Sequence, residues 1–216
     1  MLNFLNEELS ISKKVERCSE DVINKLEILS DWYSKNVDFS YNFFGTDYQI
    51  CFDRNEMNLQ CNGSTDMASQ RMFIISDCIE ETRDIIYHEI LHIYQYIKNK
   101  ETYQNDKYYK IAREIMQGYG DEDKKLNSMD FLFALALYAS FDFEQDAFIH
   151  GAYGKLKNEP KITDKMLSST DAYLYIRDMN NALSAITFQP SSFNEKLFEM
   201  RINTYITIIK NGLERL

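Results

Sequence analysis

The chain has 216 residues, 44% of them apolar and 27% charged, enough to bury a full hydrophobic core without disulfide or metal staples. Lys and Arg number 24 against 34 Asp and Glu, and the resulting net charge of −10 disfavours nucleic acid and anionic membrane surfaces, both of which are bound through basic side chains. No apolar run reaches the roughly 18 residues of a membrane span. Residues 1–8 lack the apolar stretch of a secretory signal, so the expected compartment is cytoplasmic, with phage or toxin delivery as the alternative route.

Cys18, Cys51, Cys61 and Cys78 form no C-x-x-C pair and read as reduced thiols, a Cys51–Cys61 bridge across a hairpin being the alternative. Only 7 Gly and 2 Pro argue against a loop-rich sandwich and for a mainly helical chain. Abundant Asn, Lys, Ile and Tyr suit an AT-rich genome, such as that of a low-GC bacterium or its phage.

In chain order, Cys18, Val22, Leu26, Leu29 and Tyr33 recur at steps of three or four, which predicts an amphipathic helix over 18–35. Residues 48–53 and 57–62 are short, partly alternating runs separated by Arg54, Asn55 and Glu56, and they predict a β-hairpin. A polar loop over 63–69 precedes a third strand at 72–76. Asp77 and Glu80 make a capping-box-like pair that opens a helix over 78–98. A short helix follows at 108–117, closed by Gly118 and Gly120. Residues 129–156 read as one long helix or two abutting ones, and further helices are expected over 171–186 and from Ser192 to the C-terminus. Helix, three strands and then five or so helices make an α+β fold with a small sheet.

Two of the three histidines lie in His88-Glu89-Ile90-Leu91-His92, an H-E-x-x-H. At 100° per residue His88 and His92 sit one turn apart on one face, so both imidazoles can reach one metal ion. Glu89 lies beside that face, where its carboxylate can reach a water without taking a coordination position, as a general base requires. Ile86, Ile90, Ile93 and Ile97 cluster on the opposite side. The helix is therefore expected to pack one stripe into a core and present the histidines on the other.

This motif resembles that of the zincin metallopeptidases, in which two His bind Zn2+ and the Glu is the general base. The resemblance implies a peptide or protein substrate and covers roughly residues 48–155. The metzincin pattern is excluded, because Gln95 stands where its Gly belongs and Lys98 where its third His belongs. The gluzincin type takes its third ligand from a Glu on a later helix, often as E-x-x-A. Glu144-Gln145-Asp146-Ala147 supplies one, 52 positions after His92. That spacing is longer than in thermolysin-like members and nearer to lethal-factor-type toxins.

The resemblance thus implies His88, His92 and Glu144 as metal ligands and Glu89 as the catalytic base. Asp146 and His150 are the rival third ligands, ranked second and third. Tyr138 is the implied oxyanion-stabilising residue, with His150 and Tyr153 as further candidates. Tyr94, Tyr96, Tyr103, Tyr108 and Tyr109 read as core packing with wet rims.

The expected architecture is a single zincin-like domain over 1–216. It comprises an N-terminal helix and small sheet (1–77), the active helix (78–98) and a helical subdomain (99–216). The strand at 72–76 is expected to offer its edge to an extended substrate. Two other classes compete with the enzyme: a catalytically silent zincin-fold binding or virion-structural protein, and a helical interaction module whose H-E-x-x-H is accidental. An intact Glu89 favours the enzyme over its silent relative.

Overall fold

The computed structural model describes residues 2–29, 37–52, 63–75, 79–100, 107–118, 134, 138 and 141–174. It is mixed α and β, with a four-stranded sheet and several helices. The chain divides into two compact units, Met1–Lys100 and Glu101–Leu216. Among the described residues no helix is long and apolar enough to cross a membrane.

The first unit opens with α1 (Leu2–Ile28), which begins well before the expected 18–35 helix. Its buried stripe is Val15, Ser19, Val22, Ile23 and Leu26, while Leu29 is 37% exposed. Ser19 fits this stripe because its hydroxyl donates to the Val15 carbonyl one turn back, at 2.8 Å, and leaves no buried donor unpaired. Tyr33 lies outside the described residues.

The strands are β1 (Val37–Phe43), β2 (Thr46–Phe52), β3 (Gly63–Asp66) and β4 (Arg71–Ile74), in the spatial order β1-β2-β4-β3. The antiparallel partner of β2 is β1; the 57–62 run of the expected hairpin lies outside the described residues. A two-residue turn at Phe44-Gly45 joins them. Both residues have positive φ, 54° and 93°, the mirror-image turn whose twist matches paired strands. Glycine adopts this conformation freely; Phe44 does not, and its ring is held edge-on against Tyr94 at 5.1 Å.

β2 pairs parallel with β4, and β4 pairs antiparallel with β3. Two sequence expectations are corrected here. The residues read as a polar loop begin with a strand, β3, and β4 is paired on both sides and offers no edge; among the described residues the edges are β1 and β3. Asp66 closes the β3–β4 turn by accepting from the backbone N–H groups of Ala68 and Ser69.

The register aligns Phe39, Ile50, Met72 and Thr65 in one row across all four strands. Ile50, Met72 and Thr65 are buried. Helix α2 (Ile79–Lys98) packs against this sheet and against α1. Ile86, Ile90 and Ile93 are fully buried as the helical period requires, and Ile97, near the helix end, is 38% exposed. Glu20 on α1 clasps α2 twice, accepting from Arg83 at 2.8 Å and from the Tyr87 hydroxyl at 2.7 Å. Asp77 lies outside the described residues, and with it the proposed helix cap.

In the second unit, α3 (Lys107–Gly118) covers the expected 108–117 helix. Ala134 and Tyr138 are helical, Phe141 is extended (φ −74°, ψ 130°), and α4 (Asp142–Leu156) starts anew after it. Of the two expectations for 129–156, the break at Phe141 favours the abutting one. Helix α5 (Asp164–Leu167) and a helical turn over 171–174 follow. The rest of the 171–186 helix and the last expected helix lie outside the described residues. Phe148, Ala152 and Ala172 form a small core on which Tyr138 packs.

Cys51 is a free thiol in β2, with the Arg71 guanidinium donating to its sulfur at 3.6 Å. Burial pushes this thiol up from its ordinary pKa. Cys18 is likewise free; Cys61 and Cys78 lie outside the described residues.

Candidate metal centre

The helical period does locally what the motif spacing requires. His88 and His92 stand one turn apart on α2, with Nε2 atoms 2.9 Å from each other and rings nearly perpendicular, at 83°. His92 is 6% exposed and His88 is half-buried. Gln95, three residues on, orients His92: its Oε1 lies 3.0 Å from Nδ1. An amide oxygen only accepts, so Nδ1 carries the proton and Nε2 presents a lone pair. That lone pair faces the second imidazole nitrogen. A proton on the His88 nitrogen satisfies this contact, and so would a cation held between the two. The sequence offered Gln95 only as a departure from another motif; its role as orienter depends on side-chain placement.

Glu89 is 6% exposed, which is low for a carboxylate in mid-helix. The Thr65 hydroxyl donates to its Oε2 at 2.7 Å, a short bond to a charged acceptor. The approach of β3 to α2 depends on glycine: a Cβ on Gly63 would collide with Cγ2 of Ile85 and lie in van der Waals contact with Glu89. Gly63 and Thr65 are two apart on the strand and so share the face toward Glu89. Neither residue carries an apolar signal, and sequence reading missed both.

In the second unit, Glu144 is fully buried on α4. It lies in the first turn, where the backbone N–H dipoles favour negative charge. The tyrosine that donates to its Oε1 is Tyr109 on α3, at 2.9 Å. Tyr138 stacks on Tyr109, rings 5.5 Å apart and 21° from parallel. Phe141 and Phe143 meet Tyr109 edge-on at 5.4 Å and 4.9 Å. Burial, and after it the charge of Glu144, pushes the Tyr109 hydroxyl well above its ordinary pKa, so it stays a donor.

Ala147, the small residue of the E-x-x-A, is fully buried. The rivals Asp146 and His150 are less enclosed as residues, as is Tyr153, whose ring lies under the Lys157 ammonium at 6.0 Å. Tyr109 was read as packing. It is one of 15 tyrosines, and its contact with Glu144 spans 35 positions, so no sequence signal marked it. No family model, curated protein or solved structure matches the chain.

Proposed function

We propose that this chain is a zinc-dependent metallopeptidase of zincin, gluzincin-type architecture. In this reading His88, His92 and Glu144 hold the metal, and Glu89 is the general base. The observation that carries the proposal is the meeting of the His88 and His92 Nε2 atoms at 2.9 Å, on the turn that also bears Glu89. His88 and His92 each offer one ligand atom from the first unit, and Glu144 is the proposed third ligand, from the second. Two imidazoles and a carboxylate suit zinc with one coordination position left open. Bound zinc supplies a Lewis acid that polarises the scissile carbonyl and acidifies water.

The protein's own groups do the rest. Glu89 accepts the proton of the attacking water and delivers it to the leaving amine. Gln95 holds His92 in the tautomer that a ligand needs, and Tyr109 orients the Glu144 carboxylate. Tyr138 is the candidate donor to the substrate oxyanion. The substrate is a peptide or protein, and the proposed compartment is the cytoplasm.

Elemental analysis of protein purified without chelator tests this directly. About one zinc per chain is expected. Protein that arrives metal-free, and takes up none when zinc is supplied, overturns the reading. Bound zinc without cleavage of any member of a peptide library moves the chain to the silent zincin-fold binding or virion-structural class.

A further inference from the structure

We infer that Thr65, on the edge strand β3, is the positioning residue for Glu89; the inference rests on the base role proposed above. Three observations meet at this contact. The first is the row Phe39, Ile50, Met72, Thr65, which crosses the whole sheet and ends in its only hydroxyl. Where an apolar residue would extend the core, the strand presents a donor at 2.7 Å from Glu89 Oε2. The second is burial: Thr65 is 9% and Glu89 6% exposed, so water is largely excluded as a substitute partner. The third is Gly63, which shares the strand face with Thr65 and lets β3 come this close to α2; any Cβ there would meet Ile85 and Glu89.

A glutamate in mid-helix has three side-chain torsions and several staggered orientations. Fixing one oxygen leaves the carboxylate few of them. Threonine suits the task because its branched Cβ is stiff at χ1, so the hydroxyl is aimed before the bond forms. Its pairing with Met72 in the sheet fixes the backbone from which it is aimed. Thr65 itself touches no reacting atom. It acts through Glu89.

The test uses the full chain with glutamate carboxyls labelled with ¹³C, metal-free for the first measurement. The Glu89 resonance is assigned by its loss in Glu89→Gln. Thr65→Val keeps the shape and removes the donor, and should move that resonance. Thr65→Ser keeps the donor and should leave it near the wild-type position. With zinc supplied, kcat on the peptide cleaved fastest from a mixed library should fall roughly 10–100-fold in Thr65→Val at unchanged KM, the usual cost of losing an orienting partner. Thr65→Ser should recover most of it. Should Thr65→Val not fold, Thr65→Ala against Thr65→Ser makes the same comparison. A resonance that stays in place without the donor overturns the inference, as does full turnover without it. A resonance that moves in a protein whose wild type cleaves nothing keeps the contact but overturns the peptidase reading, and with it the positioning of a base.

Discussion

Glu89 and Glu144 are both closed off from solvent, at 6% and 0% exposure, and each accepts a short hydrogen bond from a hydroxyl on another element. Their surroundings differ otherwise. Glu144 sits in the first turn of α4, where aligned peptide dipoles favour a fixed negative charge. Its donor, Tyr109, is itself braced by Tyr138, Phe141 and Phe143. Glu89 sits in mid-helix, far from either end of α2, and rests on the small residues of an edge strand. A metal ligand needs a charge that stays; a base needs a carboxylate that takes up a proton and gives it back. In the roles proposed for Glu144 and Glu89, the same side chain would be set for different work by its place along a helix and by the stiffness of what holds it.

The largest expected effect falls on Glu89. Glu89→Gln keeps the size and the contact region but cannot take a proton, so hydrolysis should drop by about 10²–10⁴ with zinc still bound. Parallel turnover and metal assays check this, and turnover at the wild-type rate would remove Glu89 from the mechanism.

Glu144→Ala should do the reverse and release the metal. Zinc affinity is expected to fall by more than the ~10–100-fold typical of outer-shell changes, while Asp146→Ala and His150→Ala retain it. Competition with a chelator, run on the three variants side by side, decides among the ligands. Loss of zinc from either rival, with Glu144→Ala unaffected, would break the contrast between the two glutamates.

Tyr109→Phe sharpens it. The ring and its stacking remain, and only the hydroxyl goes. Zinc affinity should drop roughly 10–100-fold. Leaving a buried carboxylate without this donor should also cost about 1–3 kcal/mol of stability, measured by denaturant unfolding. Unchanged affinity would mean that Tyr109 only packs.

Gly63→Ala should act mainly on folding, and on turnover by no more than loss of the Thr65 donor does. The added methyl collides with Ile85 and forces β3 outward, at about 1–3 kcal/mol. Thermal unfolding reads the cost. A variant as stable as wild type would show that β3 has room to spare against Ile85.

Part of the geometry of the candidate site was legible in the chain itself. The period of a helix alone makes His88 and His92 converge, and it alone sends Ile86, Ile90 and Ile93 to the buried side. The E-x-x-A around Glu144 was legible because a small residue one turn on has a packing reason, and Ala147 is buried. Composition pointed to a mainly helical chain and the order of predicted elements to α+β; the described residues are mixed α and β, with a four-stranded sheet and several helices.

Other features depended on partners distant in sequence. β1 alternates correctly along VDFSYNF but reads as a strand only once β2 folds back on it through Phe44-Gly45. β3 reads GSTD, with no apolar residue; its inner face meets the Glu89 carboxylate and the Ile85 side chain. Thr65 lies 24 positions from Glu89, and Tyr109 lies 35 from Glu144. Local periodicity sets which side chains share a face of one element, and that much the sequence determined by itself. Which hydroxyl then meets which carboxylate is decided by strand register and helix packing, so only the tertiary structure could assign Thr65 and Tyr109 their places.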